Sequence, residues 1–239
     1  GIPWHEKTLG QLFCDGSSRE IIDLFEKECA AAGVTIVTGC DVSGVTRDEQ
    51  FRIASSIGDY ASESLVIATG GLSIPTLGAT DFGYRIARQF GHSVNEPRPG
   101  LVPLTLAGDD LAFAAGLSGV SLDAAVSCGT ASFRENILFT HRGLSGPAIL
   151  QISSYWRPGS TLTIDLAPEA DLLGRLVGRR STASGGIELS MVLADLLPKR
   201  FARAWCARFV QPKLMAAYSN EELERIASAL HAWTIIPAG

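Results

Sequence analysis

The sequence has little charge and no long apolar run, and each shortage excludes a class of protein. Charged residues make up 19% of the 239 positions, while 46% are hydrophobic, so a disordered or fibrous chain is excluded and a sizeable core is available. No apolar run approaches the roughly 18 residues of a membrane span, and no basic segment followed by an apolar one marks a signal peptide. We therefore expect a cytoplasmic protein without a membrane partner.

Cysteine and histidine are few and scattered. The five cysteines are odd in number and form no C-x-x-C pair, so reduced thiols are the simplest interpretation. The four histidines show no metal-ligand spacing, and we expect no metal site. The histidines are His5, His92, His141 and His231.

Basic residues are concentrated in one stretch, although the net charge is −5. Residues 175–213 carry eight basic side chains against Glu188 and Asp195. The eight are Arg175, Arg179, Arg180, Lys199, Arg200, Arg203, Arg208 and Lys213. Clustered cations release counterions from phosphate, so this stretch is an alternative candidate for a nucleic-acid or protein-interaction module. An ordinary solvated face is the other interpretation, and our main expectation is that nucleic acid is not a partner.

Local patterns predict a mixed α/β region before residue 97. Ser17 and Glu20 form a capping-box pattern that begins a helix, and Gly33 ends it. A short helix is predicted over 81–90, and Asp41–Glu49 reads as turn-rich. The predicted strands are 34–37, 50–54 and 64–69.

The Pro-Arg-Pro-Gly segment at 97–100 predicts a boundary, after which short strands and then helices follow. A helix begins at Ser145-Gly146-Pro147, and residues 168–229 are helical in pattern, with a restart at Pro198 and a capping box at Ser219. The predicted strands are 101–106, 120–127, 134–139, 161–166 and 233–236.

The run VIATGG at 66–71 resembles the second ATG-type motif of flavoproteins with the two-dinucleotide-binding fold. Four further stretches make the resemblance narrower: 68–91, GQLF at 10–13, LVPL at 101–104 and LFTHRGLSGPA at 138–148. Together they resemble the BaiN-like family of predicted NAD(P)/FAD-dependent oxidoreductases over nearly the whole chain. Without the resemblance, a plain tight turn is the favoured interpretation of the Gly pair, and a ligand crevice at a strand end is the alternative.

The resemblance implies an α/β plus α+β fold. Part of a Rossmann-like FAD domain (1–98) precedes an inserted β-barrel-like domain (99–167), a helical subdomain (168–232) and a returning strand (233–239). The G-x-G-x-x-G turn that opens the family is absent, as are an initial Met and the closing Gly-rich segment. We therefore expect an internal fragment of a longer protein.

The resemblance also implies cofactor contacts made mainly by backbone. The implied residues are Val42, Ala68, Thr69, Gly70, Gly71, Gly78, Asp81 and Gly83. Val42 would lie on the adenine side, whereas Gly78, Asp81 and Gly83 would lie near the flavin. Asp81 is also explained as an ordinary helix N-cap.

Other polar and aromatic residues have two interpretations each. His141 and Arg142 form either the substrate mouth, with Arg142 meeting an anion, or an ordinary turn. Ser145 is favoured as a helix N-cap over a nucleophile because no base is placed beside it. Packing is favoured over a stacking platform for Trp156, Trp205 and Trp233.

The main functional prediction is an FAD-dependent oxidoreductase of unknown small-molecule substrate that uses NAD(P)H. The flavin ring supplies the redox chemistry, so no catalytic side chain is assigned. Because the pyrophosphate turn is missing, we expect the parent protein to hold FAD and this chain alone to hold it weakly or not at all.

Overall fold

The computed structural model describes residues 1–7, 10–182 and 186–239, which divide into two compact units. Unit 1 is Gly1–Asn95 and unit 2 is Glu96–Gly239. The finer division into 1–98, 99–167, 168–232 and 233–239 stays a prediction.

In its described residues, unit 1 combines small antiparallel sheets with two α-helices and a 3-10 helix (Pro75–Leu77). Strands β1 and β2 pair with each other, and β3, β4 and β5 form a second sheet in that order. The strands are β1 (Trp4–Glu6), β2 (Leu12–Cys14), β3 (Val42–Arg47), β4 (Phe51–Ser55) and β5 (Tyr60–Ser62). The helices are α1 (Arg19–Ala31) and α2 (Phe82–Gln89).

Two of the strand predictions for unit 1 are wrong. Residues 34–37 and 64–69 lie outside the strands and helices, and their side chains include Val34, 54% exposed, and Val66, 84% exposed. A strand forms only where a neighbour supplies hydrogen bonds, and neither run has one among the described residues. Conversely, β3 occupies the segment that reads as turn-rich, because β4 pairs along it.

Helix α1 begins with half of the predicted capping box. The backbone N–H of Ser17 donates to Glu20 Oε1 at 3.2 Å, as expected. The Ser17 hydroxyl, however, accepts from Arg19 N at 3.3 Å instead of from Glu20, and the N-cap is Ser18. Gly33 follows the helix at φ +72°, a conformation that suits glycine.

Unit 2 is built on a six-stranded antiparallel sheet in which the strands follow the order β11-β10-β7-β8-β9-β6. The long central hairpin of β7 and β8 confirms two of the predicted strands, and β10 and β11 confirm two more. The strands are β6 (Leu104–Thr105), β7 (Ser121–Cys128), β8 (Ala131–Thr140), β9 (Gly143–Ser145), β10 (Leu162–Asp165) and β11 (Trp233–Ile235).

The two edges of this sheet are joined by the residues that follow β11. Ala238 N donates to Thr105 O at 2.8 Å, and Thr105 N donates to Gly239 O at 2.6 Å. Because Thr105 belongs to β6 and β11 lies at the opposite edge, the sheet closes on itself as a barrel does. The β-barrel-like part of the predicted fold therefore agrees with the structure, whereas a Rossmann-like domain stays a prediction.

The helices of unit 2 cover this barrel. They are α3 (Gly108–Gly116), α4 (Pro147–Ser153), α5 (Leu172–Thr182), α6 (Leu189–Leu193), α7 (Lys199–Phe209) and α8 (Asn220–His231). The predicted capping box at α8 is confirmed, since Glu222 N donates to the Ser219 hydroxyl at 3.2 Å and Ser219 N donates to Glu222 Oε2 at 2.7 Å. Helix α3 has no counterpart among the predicted elements.

Aromatic rings fill the space between barrel and helices. Phe139 of β8 stacks on Trp233 of β11 at 6.2 Å between centroids, and Phe201 and Trp205 of α7 pack beside them. Trp205 is 2% exposed and Trp233 is 6% exposed, so the packing role predicted for both is confirmed. Trp156 is half-buried, and its Nε1 donates to Ser160 O at 2.9 Å. No helix in the described ranges is long and apolar enough to cross a membrane.

Candidate nucleic-acid interface

The segment Ala68–Gly71, to which the sequence assigns cofactor contacts, packs against the start of α2. A Cβ added to Gly83 would lie 2.7 Å from Thr69 Oγ1, and one added to Gly71 would lie 2.8 Å from Tyr84 Oη. A side chain at either position would therefore require the Thr69 hydroxyl or the Tyr84 ring to shift. The structure thus brings Thr69, Gly71 and Gly83 together within unit 1.

The other implied cofactor residues lie in separate elements of unit 1. Val42 opens β3 and is 39% exposed. Gly70 and Gly78 adopt φ of +69° and +87°, with open space where a Cβ would stand. Backbone at these two glycines is therefore accessible to a ligand.

Asp81 does not cap α2 with its side chain, contrary to the simpler interpretation. It occupies the N-cap position without a capping hydrogen bond, and its Oδ1 accepts from Arg85 Nε at 3.0 Å. The Thr80 hydroxyl instead accepts from Phe82 N at 3.3 Å. An exposed i,i+4 ion pair of this kind contributes little stability.

A cavity of about 360 Å³ lies beside this segment in unit 1. Its wall is largely apolar, with Gly83 the one implied cofactor residue in its lining. The remaining lining residues are Arg47, Phe51, Leu65, Ile67, Ile86, Ala87, Phe90 and His92.

His141 and Arg142 form the turn between β8 and β9 in unit 2, and both are exposed. Arg142 N donates to the Thr140 hydroxyl at 3.3 Å, and Arg142 O accepts from Leu106 N at 3.0 Å. The backbone of this turn is thus used structurally, while the His141 and Arg142 side chains remain available.

Ser145 ends β9 and does not cap a helix, so that prediction is wrong by one residue. Gly146 is the N-cap of α4, and Pro147 occupies the first turn as predicted. The glycines on either side of Ser145 are dictated by close backbone approach. A Cβ on Gly143 would lie 2.3 Å from Leu104 O, and one on Gly146 would lie 2.6 Å from Asn136 O.

The structure separates the eight basic side chains of residues 175–213 into two groups. Five of them hold the fold together through acceptors in the described residues. These contacts are Arg179 to Asp195 Oδ2, Arg180 to Tyr218 O and Asn220 Oδ1, Arg200 to Ser118 O and Gly116 O, Arg208 to Asp109 O and Asp110 Oδ1, and Lys213 to Glu222 Oε1.

The other three basic side chains project from the helices of unit 2. Arg175 of α5 and Lys199 and Arg203 of α7 are exposed and make no side-chain hydrogen bond or ion pair within the described chain. Lys199 and Arg203 are four residues apart and so share one face of α7. Arg225 of α8 is likewise exposed and unpaired there, and the sequence reasoning missed it because it lies beyond the basic stretch.

Cys206 lies beneath this face of α7 in a groove of about 420 Å³ that Arg203 also lines. Burial, with a smaller contribution from Glu188, raises the pKa of the Cys206 thiol to about 11. The thiol is therefore protonated at neutral pH and is a poor nucleophile. Among the described residues, no group of three or more His, Cys, Asp or Glu side chains is arranged to hold a metal ion.

Comparison with known proteins identifies the family to which this chain belongs. The family model described as "HI0933-like protein barrel and H2TH domain" matches residues 98–239. A ribosomal RNA dihydrouridine synthase of Escherichia coli (strain K12) is 44% identical over 242 residues, covering 100% of this chain and 60% of that protein. The protein of the same name from Haemophilus influenzae is 40% identical over 247 residues, covering 100% of the chain and 61% of that protein.

A more distant relative has a different named substrate. A 3-dehydro-bile acid delta(4,6)-reductase of Clostridium scindens is 28% identical over 163 residues, which are 63% of this chain and 39% of the reductase. The chain thus spans about 60% of the length of the first two relatives. The expectation that the parent protein is an enzyme agrees with all three names.

These names correct two predictions. An oxidoreductase of unknown small-molecule substrate is wrong as the main interpretation, because the two relatives that cover the whole chain act on ribosomal RNA by name. The expectation that nucleic acid is not a partner is wrong for the same reason. The alternative, a nucleic-acid module through residues 175–213, agrees better with these relatives.

Proposed function

The chain belongs to the HI0933-like family, and we propose that it is part of an RNA-modifying enzyme that reduces uridine in ribosomal RNA. The identity of 44% to a ribosomal RNA dihydrouridine synthase across the whole chain carries this proposal. In this proposal, unit 2 contributes the RNA-binding surface and unit 1 contributes part of the cofactor site.

Four unpaired cations on α5, α7 and α8 of unit 2 are the groups we assign to RNA. Lys199 and Arg203 present two charges on one face of α7, with Arg225 on α8 and Arg175 on α5. Cations that are already hydrogen-bonded within a fold have less to gain from phosphate, whereas exposed and unpaired ones lose little on binding it. The assignment therefore follows the four free side chains and leaves the five structural ones aside.

FAD is the cofactor we propose, on the motif resemblance to BaiN-like flavoproteins. Reduction of the uracil ring adds a hydride and a proton across its C5–C6 double bond, and a reduced flavin supplies the hydride when it is bound. Open backbone at Gly70 and Gly78 and the small residues Ala68–Gly71 fit close approach by such a cofactor. The proposal also includes further cofactor contacts at Val42, Asp81 and Gly83. It includes a Rossmann-like domain and NAD(P)H as the electron donor as well.

Activity is tested with the full-length protein that contains this chain. Unmodified ribosomal RNA is incubated with the protein, FAD and NADPH or NADH, then digested and analysed by mass spectrometry. We expect uridine to gain two hydrogen atoms at a discrete site. Absence of dihydrouridine with a flavin-loaded, folded protein would exclude the proposed reaction.

Binding is tested separately with this chain and labelled ribosomal RNA over a range of salt concentrations. Replacing both Lys199 and Arg203 by Gln is expected to reduce the slope of log K against log salt by about 1.4–1.8, since each lost phosphate contact removes about 0.7–0.9. Lys27→Gln is the matched control, because Lys27 is an exposed cation on α1 of unit 1. An unchanged slope in the double variant would remove α7 from the interface.

A further inference from the structure

One aromatic ring of the unit 2 cluster is only partly covered. Phe209, the last residue of α7, is 43% exposed, whereas its neighbours Trp205 and Phe201 are 2% and 0% exposed. The Phe209 ring is held in place by Trp205 at 4.3 Å and by Phe113 at 5.7 Å between centroids. The Arg208 guanidinium also lies 4.9 Å from the centroid of this ring, so Phe209 is a fixed aromatic residue that contacts a cation and stays partly open to solvent.

The open part of this ring lines a groove between α7 and α8, here named the α7–α8 groove. Its volume is about 490 Å³, which lies within the range of about 300–1,000 Å³ for small-ligand sites. Trp205 and Ile226 contribute to its apolar wall, and Arg225 lies on its α8 side. A planar apolar group thus has both an aromatic face and a cation within one depression.

The charges that line the groove favour an anion. Lys213, Glu222 and Arg225 are the ionisable groups among its lining residues that carry charge at neutral pH. Lys213 Nζ donates to Glu222 Oε1 at 2.5 Å, and Ser219 N donates to Oε2, so both carboxylate oxygens have donors. The hydrogen bond from Lys213 is the largest cause that lowers the pKa of Glu222 to about 2. This pair leaves Arg225 as the uncompensated charge.

We infer that the α7–α8 groove binds one unpaired base of the RNA, stacked on Phe209, with the adjoining phosphate at Arg225. This inference rests on the proposed function and names the class of RNA structure that unit 2 recognises. Single-stranded RNA is bound by stacking splayed bases on aromatic rings, whereas a duplex keeps its bases stacked inside. The groove therefore distinguishes unpaired from paired RNA.

Single-stranded oligouridylate and a blunt RNA duplex of equal length are the probes, used with the full chain at low salt. Phe209→Leu retains an apolar side chain against Trp205 but removes the aromatic face. We expect it to weaken single-strand binding about tenfold and to leave duplex binding unchanged. Phe209→Tyr is expected to restore single-strand binding, which a purely structural role in the core would not predict.

Two further variants separate the base from the phosphate. Arg225→Gln is expected to reduce the salt slope by about 0.7, and circular dichroism checks that its fold is unchanged. Phe209→Trp adds a second tryptophan to the groove beside Trp205, and oligouridylate is expected to quench more fluorescence in this variant than in the unaltered chain.

The outcomes distinguish the inference from the proposed function. The inference is overturned, while RNA binding by the chain stands, if Phe209→Leu binds single-stranded RNA as tightly as the unaltered chain. It is also overturned if Phe209→Trp shows no more quenching than the unaltered chain. No binding of either RNA by the unaltered chain at low salt overturns both. Equal losses for single strand and duplex also overturn the inference, because they show that Phe209 does not read the unpaired base.

Discussion

The two units of the chain bury their apolar residues very differently. Among the described residues, the buried hydrophobic side chains of unit 1 are Val45 and Ile86, whereas unit 2 has one continuous core around its barrel. Helix α1 shows the difference most clearly, since it has no buried residue, although α8, of similar length, buries Leu223 and Leu230. Helix sequence alone therefore does not determine burial, because an apolar stripe needs a surface to pack on.

The cations that we assign to RNA lie in only one of the two units. The unpaired cations Arg175, Lys199, Arg203 and Arg225 all lie in unit 2, while the exposed apolar side chains of α1, including Ile22 and Phe25, lie in unit 1. A stable core holds cations in fixed positions, which suits phosphate recognition. Apolar side chains exposed together, as on α1, are typical of a surface that contacts another protein or a ligand.

The largest effect is expected when phenylalanine is replaced by alanine in each of the two units and the free energy of unfolding is compared. Phe201→Ala removes a fully buried ring from the aromatic cluster of unit 2 and is expected to lower the free energy of unfolding by about 3–5 kcal/mol. Phe25→Ala removes a ring that is 65% exposed on α1 and is expected to change it by less than about 0.5 kcal/mol. Urea unfolding followed by circular dichroism measures both. Similar losses in the two variants would contradict the difference in burial.

The second comparison concerns glycine within unit 2. Gly143→Ala places a Cβ 2.3 Å from Leu104 O at a φ of +144°, so the barrel edge must shift. We expect a loss of about 1–3 kcal/mol from the backbone conformation, with the steric clash adding to it. Gly116→Ala, at the end of α3, meets no atom within 4 Å and is expected to be neutral or slightly stabilising. Thermal unfolding distinguishes the two, and a neutral Gly143→Ala would show that β6 is free to move.

Local features of the fold were predictable from sequence, and features that need a distant partner were not. The Ser219 capping box follows from residues three apart, and the β7–β8 hairpin follows from alternating residues around a short turn. The apolar run at 64–69 has the composition of a strand, yet nothing in its own residues specifies a neighbour. Helix α3 has a Gly- and Ala-rich sequence that gives little periodic signal.

The candidate interface was predictable as a stretch but not residue by residue. Eight basic side chains are visible in the sequence. Arg200, however, donates to Ser118 O and Gly116 O, which lie 82 and 84 positions earlier, and Arg208 donates to Asp110 Oδ1, 98 positions earlier. These contacts remove both side chains from the set available to RNA. Phe209 and Arg225 lie on different helices, and it is the fold that places both in the lining of one groove.

The smallest effect is expected when a single ion pair is removed from unit 2 or from unit 1 and the change of Tm with pH is compared. Glu222 has its pKa lowered from 4.5 to about 2, first by the Lys213 hydrogen bond and then by Ser219 N. The carboxylate thus stabilises the fold above the unfolded-state pKa, and this contribution is lost as the pH falls through the folded-state value. Glu222→Gln is therefore expected to lower Tm at neutral pH, with the difference shrinking as the pH falls from about 4.5 towards 2.

The control for this pH series is Asp23→Asn, which removes the exposed Arg19–Asp23 pair of α1 in unit 1. Such a pair contributes little, so the unfolding transition of unit 2 is expected to keep its pH dependence. Thermal unfolding followed by circular dichroism across the acid range gives the comparison. If Glu222→Gln shows the same loss of Tm at every pH, its effect comes from the lost capping hydrogen bonds and not from the charge. The acid sensitivity of unit 2 would then have to arise from other carboxylates.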